Sequence, residues 1–181
     1  MKLWYVPAVA LVIASPAAAQ EHNMAHGEHG GDHMVAAVRT VYEGVKNNVV
    51  RSGEMLPETE LAFKPVPDVR SFGELLGHVA NSNYSYCSAV LGVDNPNAGN
   101  DIETITDKAG LVQAVKDSFA HCDLAFQLND EQVMQMTEGR NPRMKLFYLV
   151  QVTSHGNEHY GNLVTYLRLK GMVPPSSQPR G

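Results

Sequence analysis

Apolar residues recur along most of this chain at intervals of three and four, the period of helices packed on one side. Val38, Val41, Val45 and Val49 carry the first such stripe, which predicts a helix from about Asp32 to Met55. Pro57, Pro65 and Pro67 break the chain next. With Leu61 and Phe63, that stretch is expected to lie extended over one end of the fold. A second helix has a defined start, because Ser71 is followed three residues later by Glu74, the pattern of a capping box. Phe72, Leu75, Leu76, Val79 and Val90 give it an apolar face, and Gly92, Asn95 and Pro96 end it. A third helix, capped by Thr106 or Asp107, carries Leu111, Val115, Phe119, Leu124 and Phe126 and should stop near Asn129. Residues 130–141 read as a polar connection with room for a short helical turn. Pro142 suits the first turn of a last helix that runs to Lys170, with Gly171 as its stop and Pro174-Pro175 beyond. No segment alternates with a period of two. Four long amphipathic helices without strands predict an all-α four-helix bundle.

The connection between the second and third helices constrains the topology. Its roughly 15 residues are long for a tight antiparallel turn but sufficient to return along the bundle at about 3.3 Å per residue. The second and third helices are therefore expected to run parallel. Cys87 lies 16 residues after Ser71, and Cys122 lies 15 residues after Asp107. Parallel helices put both thiols at one level, whereas antiparallel ones would separate them by roughly 16 Å, too far for a bond. A Cys87–Cys122 disulfide is the expectation, with two buried free thiols as the alternative.

Composition adds a compartment. Lys2, the short apolar run from Leu3 to Ala14, and Ala17-Ala18-Ala19 form the pattern of a secretory signal over residues 1–19, cleaved before Gln20. The run is too short for a membrane anchor, which needs about 20 apolar residues. A periplasmic or secreted protein is expected, with no membrane association once the signal is gone. Residues 20–32 are rich in His and Gly, carry almost no apolar bulk, and read as a flexible tail. The bundle is assigned residues 33–177. With 14 basic against 19 acidic side chains and no basic stripe, the chain is not a nucleic-acid binder by this reading.

The candidate chemistry lies in the histidines. His155 and His159 are four apart, which places two imidazoles one turn apart on one helix face and suits a single metal ion, with surface or core-edge histidines as the alternative. No Glu follows His155 directly, so the HExxH protease pattern is absent. His78 supplies a third ligand from the second helix, where Asn81, Ser82 and Ser85 make a small polar stripe beside it. Three neutral imidazoles leave coordination positions open, the arrangement of a reactive site. Such a set suits a divalent ion, zinc first, with nickel or ferrous iron as alternatives. Glu158, Tyr84, Asn162 and Tyr166 are the candidates to orient a substrate or move a proton. His22, His26, His29 and His33 form a separate series in and beside the tail, read first as a solvated segment, with weak metal capture as the functional alternative.

Two blocks carry a family resemblance. Residues 56–91, LPETELAFKPVPDVRSFGELLGHVANSNYSYCSAVL, are similar to the first half of a DinB-like protein, and residues 154–177, SHGNEHYGNLVTYLRLKGMVPPSS, to its last helix and tail. With residues 109–128 the resemblance spans most of 33–177. It implies an up-down-down-up bundle and a three-His metal site on His78, His155 and His159. The wider superfamily includes thiol-dependent transferases and isomerases. Many members have Arg-Gly-Gln after the last His, where this chain has Tyr160-Gly161-Asn162. The expected function is that of an exported metal-dependent enzyme, hydrolase-like or transferase-like, acting on an unidentified small molecule. The alternative is a non-catalytic envelope protein that binds metal or a small ligand. Homodimer formation is left open.

Overall fold

The computed structural model describes residues 33–179 together with Met1. Residues 2–32, which hold the expected signal and the tail histidines His22, His26 and His29, lie outside the described residues. His33 is the first residue of the first helix.

The chain forms α1 (His33–Met55), α2 (Phe72–Leu91), α3 (Lys108–Ala125), a single turn α4 (Asp130–Val133) and α5 (Lys145–Leu169). Residue pairings give the directions. Asn83 meets Ser118 and Cys87 meets Cys122, so α2 and α3 run parallel. Tyr42 meets Asp123 while Glu54 meets Lys116, so α1 and α3 are antiparallel. Phe72 meets Tyr166 while Tyr86 meets Tyr148, so α2 and α5 are antiparallel as well. The bundle is up-down-down-up, as expected. Among the described residues there is no strand, only an isolated bridge between Met136 and Met144. No helix of the described residues is long and apolar enough to cross a membrane.

Local sequence explains the ends. Ser71 and Glu74 make the reciprocal capping box that opens α2, and Gly92 closes it at φ 70°, a left-handed conformation that favours glycine. Asp107, not Thr106, caps α3, its carboxylate accepting from the Gly110 amide at 2.7 Å. The first amides of α1 at Met34 and Val35 donate to the two oxygens of Asp130, at 3.0 and 2.9 Å. A carboxylate from α4 thus satisfies donors that the helix itself cannot.

The core runs through Tyr42, Val45 and Val49 of α1, Leu76 and Val79 of α2, Leu111, Val115 and Phe119 of α3, and Leu149, Leu163 and Leu167 of α5. Several boundaries differ from the sequence expectation. On α1 the buried position is Tyr42, while Val41 faces solvent, because the ring of Tyr42 stacks on Phe126 with centroids 3.9 Å apart. Leu124 is likewise exposed. α3 ends at Ala125, and Asn129 begins the next turn by capping α4 with Gln132. The last helix starts at Lys145 rather than Pro142. The Thr137 amide donates to the Arg143 carbonyl at 2.7 Å and the Lys145 amide to the Gln135 carbonyl at 2.9 Å. These bonds hold Pro142 in the return of a loop, ahead of the helix. The proline-rich stretch is not wholly extended, since Glu58–Glu60 form a 3-10 turn. Leu61 is buried, and the carbonyls of Leu61 and Phe63 accept from the amides of Gly73 and Phe72, completing the start of α2.

Candidate metal centre

Parallel packing of α2 on α3 leaves α2 free to lie against α5 on its other side, and the three histidines meet in that seam. His78 comes from the second turn of α2, His155 and His159 from consecutive turns of α5. The Nε2 atom of His155 lies 3.2 Å from Nε2 of His78 and 3.1 Å from Nε2 of His159. One ligand nitrogen from each of the three rings lies within 4.8 Å of the others. A tetrahedral ion with bonds of 2.0–2.1 Å holds its nitrogens about 3.3 Å apart, a spacing that the His155–His78 and His155–His159 pairs match, while the third pair lies within 4.8 Å.

The outer nitrogens fix the rings. His78 Nδ1 stands 2.8 Å from Glu103 Oε1. A carboxylate only accepts, so the proton sits on Nδ1 and the Nε2 lone pair faces the cluster. Arg70 Nε donates to the other oxygen of Glu103 at 2.8 Å, and the Arg70 carbonyl accepts from the Tyr166 hydroxyl at 3.0 Å. A chain of three residues, Glu103, Arg70 and Tyr166, thereby braces His78. The Asn162 amide lies 3.5 Å from His159 Nδ1, and the Ser82 hydroxyl 3.5 Å from His155 Nε2. Converging imidazole nitrogens with their lone pairs turned inward repel one another unless a cation or a proton donor lies between them. The donor set fits a divalent ion.

Burial tunes the same rings. Removal from water, reinforced by His159, His78 and Arg70, lowers the His155 pKa to about 4. Burial also lowers that of His159, with His78 adding to the effect and Glu158 opposing it. Both imidazoles are therefore neutral at pH 7, the state in which nitrogen coordinates a metal. His159 is 8% exposed, whereas the His78 side chain keeps 25% of its surface in water, so the cluster is open on the α2 side.

The remaining candidates are spread differently. Glu158 and Asn162 are exposed on α5. Tyr166 is buried between Phe63 and Phe72, and its hydroxyl is used by Arg70. Tyr84 turns toward α3, where its ring lies 5.5 Å from that of His121. Burial, with Asp117 adding to it, raises the Tyr84 pKa. The α2 ring that does face the cluster is Tyr86, edge-on to His155 with centroids 5.9 Å apart. Sequence reasoning missed Tyr86 and Glu103. Tyr86 lies two turns beyond His78 on the flank of the same face, so projecting that face further would have found it. Glu103 carries a subtler sign in Gly77. A Cβ on Gly77 would sit 2.6 Å from the Glu103 Cα, so only glycine lets the turn Ile102–Thr104 lie against α2 beside His78.

Cys87 and Cys122 form a buried disulfide with Cα atoms 5.2 Å apart. A cleft of about 530 Å³ between α1 and α3 contains none of the three histidines. Four of its charged side chains are spent on one another, in the pairs Lys46–Asp123 at 2.6 Å and Lys116–Glu54 at 2.7 Å.

Similarity to known proteins agrees with this architecture. Two crystal structures share the fold, each with a TM-score of 0.62. One is a DinB-like protein from Bacillus cereus ATCC 10987, 14% identical, over 77% of this chain and 95% of that one. The other is a conserved protein from Enterococcus faecalis, 17% identical, over 75% of this chain and 95% of that one. No curated protein matches the sequence. The family model described as the DinB superfamily matches residues 42–163, more than half of the chain and inclusive of all three histidines. The chain belongs to the DinB superfamily.

Proposed function

We propose that this protein is an exported, divalent-metal-dependent enzyme, hydrolase-like or transferase-like, whose ion is held by His78, His155 and His159. The observation that carries the reading is the convergence of three Nε2 atoms with the outer nitrogen of His78 held by Glu103. Three protein ligands leave a position for a further group, which a structural site would fill with a fourth side chain. Zinc is the first expectation, with nickel and ferrous iron as alternatives, since three imidazoles suit all of them.

A divalent ion bound there supplies Lewis acidity, polarising an oxygen or thiol group of a small molecule. The chain's own residues do the rest. Glu103 keeps the proton of His78 on Nδ1. The low pKa of His155 keeps that ring neutral far below pH 7. Ser82 offers a hydroxyl on the open side, 3.5 Å from His155 Nε2. Export is supported by the disulfide, because such bonds persist in oxidising compartments.

The test is elemental analysis of tag-free protein, followed by a hydrolase and thiol-transfer screen with and without chelator. One ion per chain and a chelator-sensitive activity are expected. Full metal content in His155→Ala would sink the site assignment. An activity untouched by metal removal would sink the enzymatic reading.

A further inference from the structure

Several tyrosines of the bundle are anchored through their hydroxyls. Tyr42 donates to the Phe119 carbonyl at 2.9 Å, Tyr160 to Ser176 at 2.8 Å and Tyr166 to the Arg70 carbonyl at 3.0 Å. Tyr86 and Tyr148, like Tyr84, differ. Both are half-buried, and neither hydroxyl has a hydrogen-bond partner among the described residues. Their rings instead make a path. Tyr86 meets His155 edge-on at 5.9 Å, Tyr148 lies 6.2 Å from Tyr86, and Phe147 lies 5.3 Å from Tyr148. Phe147 ends the path 44% exposed. A continuous aromatic strip thus runs from the metal-site histidine outward along the α2–α5 seam. Seven residues separate His155 from Tyr148, which at 1.5 Å each gives a strip of about 10 Å.

Both rings pack against the core on one side and keep part of their surface in water on the other, with their hydroxyls reaching solvent, so the strip is accessible along the seam. The strip's inner end abuts the open histidine cluster through Tyr86 and His155. Its occupant should therefore be continuous with whatever reaches the cluster.

We propose that the strip binds the flat apolar body of the metal site's own ligand, so that the substrate class is an aryl or similarly planar apolar molecule bearing an oxygen or sulfur donor. The donor group reaches the three histidines, and the body lies on Tyr86 and Tyr148. This proposal rests on the metal reading above.

Two hydroxamates separate the possibilities, because both bind zinc through the same oxygens and differ only in the body attached. Calorimetric titration of the zinc-loaded full chain with acetohydroxamate and with benzohydroxamate is the experiment. Benzohydroxamate is expected to bind about tenfold more tightly, as an aromatic contact of ordinary strength provides. It should also perturb the near-ultraviolet dichroism of tyrosine, and acetohydroxamate should not. In Tyr86→Leu the affinity ratio is expected to fall to within about threefold, with thermal melting and zinc content showing that the variant is folded and loaded. If that variant does not fold, Tyr148→Leu serves the same purpose. Equal affinities on the native protein, or a ratio unchanged in a folded variant, would overturn the proposal. A chain that takes up no zinc and binds neither hydroxamate would overturn the metal reading instead, and the strip's role with it.

Discussion

Glu103 touches only the outer nitrogen of His78, yet its effect is felt at the inner one. Accepting the Nδ1 proton leaves Nε2 as a donor atom and raises its basicity. Glu103→Gln keeps the shape but removes the charge, and should weaken zinc binding about 10- to 100-fold. Competition against a chromophoric chelator measures this, and unchanged affinity would show that Glu103 has no such role. His155 gives a pH dependence whose sign follows from its shift. Its folded pKa is about 4 against 6.5 for the free group. Below pH 6.5 the unfolded chain takes up a proton that the folded ring refuses, so folding is disfavoured as the pH drops toward about 4 and the effect levels off below. Denaturant melts of metal-free protein should show stability falling through that window, with a shallower fall in His155→Gln. The pairing of His155 with His159 was legible in the sequence because helical spacing alone sets it. The Glu103 contact was not, because it spans 25 residues across a loop whose path periodicity does not report.

The helices themselves were well signalled where caps and breakers are local. Ser71 with Glu74 marked the start of α2, and the matched positions of Cys87 and Cys122 gave the parallel direction of α3. Pro142 misled because its suitability for a helix start is a local preference, while the loop bonds at Thr137 and Lys145 are contacts between neighbouring segments. Two predictions belong here. Gly77→Ala would drive a methyl into the backbone of Glu103. It should cost about 1–3 kcal/mol of stability, as overpacked sites do. It should also lower zinc affinity, since the displaced turn carries the partner of His78. Replacing both cysteines by alanine opens a link across 35 residues, and should cost about 4 kcal/mol by loop entropy. Equilibrium unfolding of each variant checks both values, and a Gly77→Ala protein with native zinc affinity would separate the turn from the site.

At the scale of the whole molecule, the bundle joins α2 and α5 by a site rather than by apolar packing alone. Zinc that binds only the folded chain should therefore stabilise it by about 2.7 kcal/mol at a hundredfold excess over the dissociation constant, and raise its melting temperature in a concentration-dependent way. The all-α architecture was readable from hydrophobic period and loop length, and the family from two sequence blocks. The reaction was not readable, because substrate choice depends on surfaces such as the Tyr86–Tyr148 strip that form only when helices meet. The most direct measurement is anomalous diffraction at the zinc edge from crystals of the tag-free chain. The expected result is one peak about 2.0–2.1 Å from an imidazole nitrogen of each of His78, His155 and His159. A map with no density between those rings, and zinc bound only at histidines elsewhere in the chain, would contradict it.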